Sequence, residues 1–259
     1  MKSATLWTAL FALAACAGAA GAETDFLEPS DPLVRAHAAF ARGDTADAEA
    51  LVAPLAGGAN PRAEACALLG EIRAGQNRIP EAVALFRQAA RLRPQSSGYQ
   101  CRLGNALLQL LGSAPAADQG RLGAEALAAL QRAIQLDPEN SDAYQGLAQY
   151  YAAIPESAGG GYDKAIEAAR EMKKRQVLDG AITAAVIAER LNRLEAALGF
   201  WREALQNFSG DAGLRECEPR VLAKLGRTAE ARRCYQRILV DFPEDESARK
   251  ALAALPPDP

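Results

Sequence analysis

The chain has 259 residues, with 29 Lys and Arg against 32 Asp and Glu, so its formal net charge at pH 7 is −3. Ala and Leu are abundant and β-branched residues are few. Because β-branched side chains lose rotamer freedom in helices, this composition favours an all-α fold and excludes an all-β one. The hydrophobic content of 49% is too high for general disorder. A mildly acidic chain also lacks the basic surface that binding to nucleic acid requires.

Residues 1–22 have the layout of a secretory signal peptide, with Lys2 at the front, an apolar stretch over 6–15 and small residues after it. The apolar part is about half the roughly 20 residues that a spanning helix needs. Two processing sites fit. Residues 20–22 (AGA) match an ordinary cleavage site, whereas residues 13–16 (LAAC) resemble the bacterial lipobox, in which Cys16 is lipidated. Both alternatives predict a periplasmic or secreted chain, and the second adds a lipid anchor.

A two-helix pattern repeats from residue 29 to residue 245. Each predicted second helix carries an early alanine, and further side chains of the same helix stripe follow four and seven positions later. These alanines are Ala48, Ala82, Ala126, Ala165, Ala197 and Ala231. Their successive spacings are 34, 44, 39, 32 and 34 residues. Pro94, Pro138 and Pro243 end second helices, since proline cannot continue a helix.

The pattern resembles the tetratricopeptide repeat (TPR), a 34-residue helix–turn–helix with a Leu-Gly pair in its first helix and an Ala followed by an aromatic residue in its second. Leu69-Gly70 and Leu103-Gly104 supply the pair, and Trp201 stands at the aromatic position. The resemblance, to TPR proteins of the secreted bacterial type, implies an all-α right-handed α-solenoid of about six helix pairs. A small residue on the first helix would face the alanine of the second, so that the two backbones approach closely.

Three local features refine this expectation. The repeat is interrupted by two insertions, at 112–122 and 155–161, whose Gly, Pro and Ser residues predict loops. The two loops would form a joint lip on one edge of the array. The alternative is that they are surface insertions that the fold tolerates at little entropic cost. Pro219 in the last unit predicts a first helix that begins near Glu218. Residues 246–259 are predicted to form a capping helix over 247–255, capped by Asp245 or Ser247, and a tail.

First helices line the concave face of TPR arrays. The resemblance therefore implies a partner groove that includes Glu71, Asn105, Gln109, Gln145, Gln149 and Arg220. Side-chain amides can hydrogen-bond a peptide backbone as donors and as acceptors. The alternative is that these are ordinary exposed side chains of helices. The Lys, Arg and Asn set with which the chaperone-tail class of TPR clamps a carboxylate is not matched here.

The sequence contains no motif for catalysis, a metal or a cofactor, because it has no zinc pattern, no nucleophile elbow and no Walker loop. His37, the single histidine, has no ligand at metal-binding spacing. Cys217 and Cys234 lie at similar heights on paired helices, which predicts a disulfide worth about 3 kcal/mol in an oxidising compartment. The alternative is that the cysteines after Cys16 are buried thiols.

These observations predict a non-catalytic scaffold or adaptor, exported from the cytoplasm, that binds a protein or peptide in its groove. The alternative is a cell-envelope lipoprotein, held through Cys16, that takes part in outer-membrane or envelope complex assembly. An accessory subunit of an enzyme is a third interpretation. No cofactor and no nucleic acid are expected, and a membrane is expected only through the lipid on Cys16.

Overall fold

The computed structural model describes residues 31–208 and 213–256. Within these residues the chain forms thirteen α-helices and one short 3-10 helix, and it contains no β-strand. The expected all-α repeat array is therefore confirmed. The predicted signal peptide over 1–22, with both processing sites and Cys16, lies outside the described residues, as do the first two residues of the repeat region and the last three of the tail.

The helices form six antiparallel pairs and a final single helix. The pairs are α1 (Pro32–Ala41) with α2 (Thr45–Gly57), α3 (Ala63–Gly75) with α4 (Ile79–Leu92), α5 (Ser97–Leu111) with α6 (Ala116–Leu136), α7 (Ser141–Ala153) with α8 (Tyr162–Lys173), α9 (Val177–Arg190) with α10 (Leu194–Asn207), and α11 (Cys217–Lys224) with α12 (Thr228–Asp241). The last helix is α13 (Glu246–Ala254). Each helix packs on its neighbours in the chain, and α1 contacts α3, α5 contacts α7 and α7 contacts α9. First helices therefore adjoin first helices at these three places, and ion pairs join α3 to α5 and α9 to α11.

The repeated alanines lie in the core, as the repeat pattern requires. All six of them have a relative exposure of 0%. The residues four positions later are buried as well, and they include Phe86, Trp201 and Tyr235. Burial of these two sets on one stripe of each second helix explains why the six pairs stack into one array.

The glycine of each Leu-Gly pair makes room for a large side chain of the second helix. A Cβ on Gly70 would lie 2.7 Å from Cε1 of Phe86, and one on Gly104 would lie 2.6 Å from Cγ of Leu130. The predicted close approach is present, but these glycines meet the large residue four positions beyond the alanine before they meet the alanine itself.

The first insertion is mostly helical, so the prediction of a loop over 112–122 was wrong. Helix α6 begins at Ala116, which leaves only residues 112–115 as a loop. This segment contains good helix formers, and Leu122 is buried in the same apolar cluster against which Ile154 packs. In the second insertion a 3-10 helix, Glu156–Ala158, precedes a turn. The N–H of Gly161 closes that turn by donating to the carbonyl of Tyr151 at 2.8 Å.

The last unit begins its first helix late, close to the predicted position. Helix α11 starts at Cys217 and has only eight residues. Pro219 is tolerated because it lies in the first turn, where its missing N–H has no partner within the helix. Asp245 caps α13, since its carboxylate accepts from the N–H of Ala248. The capping helix begins one residue earlier than predicted.

Candidate partner groove

The structure places all six predicted groove residues on first helices. Glu71 lies on α3, Asn105 and Gln109 lie on α5, Gln145 and Gln149 lie on α7, and Arg220 lies on α11. We use the name groove face for the accessible side of α3, α5, α7, α9 and α11.

Three glutamines occupy the middle of the groove face. Gln109 is exposed, and Gln145 and Gln149 are partly buried. Their side-chain amides form no hydrogen bond with any other residue of the described part of the chain. Each amide can provide two donors and one acceptor oxygen, so this stretch of the surface offers polar groups that the fold itself does not use.

Asn105 belongs to a contact between helices rather than to the open groove. Its Nδ2 donates to Sγ of Cys101 at 3.5 Å, and its Oδ1 is buried without a hydrogen-bond partner among the described residues. Oδ1 lies against Gly146 of α7, where an added Cβ would collide with it and would lie 2.7 Å from Cδ2 of Leu130. The close approach of α7 therefore removes this oxygen from the groove face.

Glu71 is neutralised by a residue of the next first helix. Nε of Arg102 donates to its Oε1 at 2.5 Å, and both side chains are substantially exposed. Exposed ion pairs of this kind contribute little to stability and are screened by salt. Glu71 therefore adds little negative charge to the groove face.

Glu189 joins three helices at the other end of the groove face, and sequence reasoning missed it. Its Oε1 accepts from Nε1 of Trp201 on α10 at 2.8 Å and from Arg220 on α11 at 3.1 Å. Its Oε2 accepts from Nζ of Lys224 at 2.7 Å. We call these four residues the Glu189 cluster. The spacing of 35 residues between Glu189 and Lys224 is close to the repeat length, and it is the signal that could have revealed the pair.

In the Glu189 cluster the negative charge is buried and the positive charges are exposed. Only 10% of the Glu189 side chain is exposed, whereas Arg220 and Lys224 are about half exposed. Burial alone raises the pKa of Glu189, but the hydrogen bonds from Lys224 and Trp201 and the charge of Arg220 outweigh it, so the pKa is lowered. The carboxylate is thus ionised and covered, while its two cations face solvent.

Apolar side chains lie between the amides and the cations. Ile182 and Val186 of α9 are partly buried and adjoin the core of the last two pairs. Along the stack, the groove face therefore changes from uncharged amides on α5 and α7 to apolar groups on α9 and cations on α11.

The cysteines of the described part are free thiols, so Cys217 and Cys234 are not joined in this structure. Burial raises the pKa of both thiols, and it raises the pKa of Cys101 to about 12. They pack as small hydrophobic residues. The disulfide between Cys217 and Cys234 stays a prediction for the oxidised chain, and counting thiols under denaturing, non-reducing conditions tests it.

Neither a metal cluster nor a spanning helix occurs in the part of the chain that the structure describes. No group of three or more His, Cys, Asp or Glu residues there could hold a metal ion. No helix among residues 31–208 and 213–256 is both long and apolar enough to cross a bilayer.

Residues 33–97, which contain α2 to α4 and all of α1 except its first residue, match the family model of the tetratricopeptide repeat. The chain has the fold of a TPR array. The match includes the first pair of helices. No curated protein matches the chain.

Solved TPR structures share the architecture at low sequence identity. PilW, a widely conserved type IV pilus biogenesis factor, has 17% identity and a TM-score of 0.65, covering 85% of this chain and 96% of its own. A thermophilic TPR protein of Thermus thermophilus has 20% identity and a TM-score of 0.60, covering 74% and 97%. YrrB, a TPR protein with an unusual peptide-binding site, has 20% identity and a TM-score of 0.51, covering 71% and 87%. At these identities the likeness shows the fold alone.

Proposed function

We propose that this TPR array is a non-catalytic scaffold or adaptor that is exported from the cytoplasm and binds an extended segment of a protein or peptide along its groove face. The observation that carries the proposal is the set of glutamine amides on α5 and α7 that form no hydrogen bond within the described chain. An extended backbone presents N–H and C=O groups that match such amides without a particular sequence. The solved YrrB structure, whose name records a peptide-binding site, supports the same use of this fold.

The order of amides, apolar side chains and cations along the groove face indicates which kind of peptide it would bind. The amides suit a backbone or uncharged polar side chains, Ile182 and Val186 suit an apolar side chain, and the exposed cations of the Glu189 cluster suit an acidic one. Glu189 and the nearby Glu216 keep this end from being strongly positive, so the cations favour an acidic side chain without attracting every anion.

Charging the amides tests the groove face directly. The triple variant Gln109→Glu, Gln145→Glu and Gln149→Glu keeps side-chain size but replaces donors with acceptors and adds three negative charges. We expect at least about a tenfold loss of affinity, since each lost hydrogen bond costs about 1 kcal/mol and charge repulsion adds to it. The measurement is fluorescence anisotropy with labelled peptides selected from a library on the unmodified protein.

A control variant carries the same charge change on second helices. Gln131, Gln206 and Gln236 are exposed on α6, α10 and α12. Their change to Glu should leave peptide affinity within about twofold, since surface substitutions away from a site have small effects. Equal losses in both triple variants, or no loss in the first, would remove the groove assignment.

The second candidate function is that of an envelope lipoprotein involved in assembly of a complex at the membrane. The specific observation that favours it is the lipobox-like sequence at residues 13–16, which ends in Cys16. Intact mass of the mature chain tests it. A diacylglyceryl group on an N-terminal Cys16 supports the lipoprotein, whereas a chain that begins at Glu23 without lipid excludes it.

A further inference from the structure

The exposed apolar side chains of the array lie on a single edge. Within the described part of the chain, the large apolar residues that are exposed are Val34, Leu92, Val177, Phe208, Val240 and Phe242. Each stands in a linker between successive helix pairs or within three residues of a helix end on the same side of the array. We call this side the linker edge. Its described linkers are 58–62, 93–96, 137–140, 174–176, 208 with 213–216, and 242–245.

The opposite edge is formed by the turns within pairs and carries none of these six residues. Isolated apolar residues on a surface are ordinary and need no explanation. Their confinement to one edge does need one, above all near the C-terminus, where Val240 is 78% exposed, Phe242 44% and Phe208 36%. These three residues lie at the ends of α10 and α12.

The linker edge has no excess of charge. Its described linkers contain five basic and five acidic residues. Several charges there are paired, such as Arg93 with Glu64 at 2.6 Å and Arg215 with Asp245 at 3.5 Å. Arg215 also stacks on the ring of Phe242, with its guanidinium carbon 3.6 Å from the ring centroid. Segments that lie in the headgroup region of a bilayer combine apolar side chains such as Phe and Leu with basic residues, and the apolar stem of an arginine can lie along such a surface.

The N-terminal segment joins the array at this same edge, because Asp31 caps the first turn of α1. Cys16 is fifteen residues before Asp31 in the sequence. A chain of that length reaches at most about 50 Å when fully extended. The linker edge is therefore nearer to a lipid on Cys16 than the opposite edge is, by about the length of a helix.

We infer that the linker edge rests on a phospholipid surface, with Phe208, Val240 and Phe242 entering its headgroup region. The inference rests on the lipoprotein function proposed above. Because the edge carries balanced charge, apolar contact drives the association, and anionic lipids are not required. The groove face is formed by the sides of the first helices and stays open to a ligand.

Two labelling sites on one helix test the inference. In a chain whose partly exposed Cys234 is changed to Ala, Val240→Cys and Ala229→Cys place a fluorescent label near opposite ends of α12, about 16 Å apart along its axis. Each labelled mature chain is added to phosphatidylcholine vesicles that carry a nitroxide quencher at the headgroup. The expected result is quenching about fivefold stronger at position 240 than at position 229. It should persist in about 1 M salt, where charge attraction is screened within about 3 Å.

The outcomes separate this inference from the lipoprotein proposal. Intact mass reports the lipid on Cys16, whereas the quenching ratio reports the edge. Stronger quenching at 240 supports the inference whether or not the lipid is present. Equal quenching at both sites, or none at either, overturns it even for a lipidated chain. If the label at position 240 is protected from solvent when no vesicles are present, and the chain sediments as a dimer, the linker edge binds a second copy of the chain. That result also overturns the inference.

Discussion

Gly180→Ala is expected to destabilise the array strongly, because the added methyl group would collide with backbone atoms of the neighbouring helix. Gly180 lies in the first turn of α9, and a Cβ there would lie 2.5 Å from both the backbone nitrogen and the Cβ of Lys173 at the end of α8. Backbone atoms of a packed helix cannot rotate aside, so α8 and α9 must separate. We expect the free energy of unfolding to fall by about 3 kcal/mol, at the upper end of ordinary overpacking, measured by urea denaturation.

Gly199→Ala is the matched control, because Gly199 lies inside α10 and nothing stands within 4 Å of the added methyl group. Alanine is the better helix former, so this variant should gain about 0.5–1 kcal/mol. The two substitutions make the same chemical change, but the expected changes in the free energy of unfolding have opposite signs. A loss of similar size in both would show that the close contact between α8 and α9 does not constrain position 180.

Glu189→Ala is expected to have the second large effect, because it removes the acceptor that three helices share. Nε1 of Trp201 would lose its partner while the side chain stays buried, and Arg220 and Lys224 would lose their counter-charge. A buried donor without a partner costs about 1–3 kcal/mol, whereas the half-exposed cations are rehydrated and add less. We expect a loss of about 2 kcal/mol in urea denaturation, with a change in the fluorescence of Trp201.

An exposed glutamate of the neighbouring helix provides the control for this variant. Glu195 pairs with Arg227 at 3.4 Å and is 69% exposed, so Glu195→Ala should change the free energy of unfolding by less than about 0.5 kcal/mol. If Glu189→Ala proves as mild as Glu195→Ala, the Glu189 cluster does not connect α9, α10 and α11.

The same cluster predicts how stability depends on pH. The pKa of Glu189 is lowered in the folded chain from its ordinary 4.5. A carboxyl whose pKa is lower when folded stabilises the protein above its unfolded pKa and loses that contribution as the pH falls through the folded pKa. The advantage of the unmodified chain over Glu189→Gln should therefore be complete near neutral pH and shrink below pH 4.5. An advantage that grows in acid would contradict the assigned hydrogen bonds.

The periodic features were readable from the sequence because they depend on residues within one helix pair. The spacing of the alanines determines which stripe of each second helix is buried, and all six are fully buried. Pro219 and Asp245 set helix starts through local backbone chemistry, which is why α11 and α13 begin within one residue of the predicted positions. The prediction of a loop over 112–122 was wrong because the helix formers around Gly120 outweigh the effect of that glycine, so that only residues 112–115 form a loop.

Other properties were decided only when the pairs stacked. Asn105 has the same residue type as an open groove amide, but the close approach of α7 at Gly146 buries its oxygen, and no local pattern encodes that approach. Glu189, Trp201 and Lys224 come together from three helices, and Val240 and Phe242 share an edge with Val34 from the far end of the chain. The amino-acid sequence by itself therefore determined the repeat and its buried stripe, because both arise from helical periodicity. The tertiary structure decided which polar groups are paired and which apolar ones stay exposed, because side chains of other helices, at separations of 12 to 35 residues in the Glu189 cluster, supply or withhold the contacts.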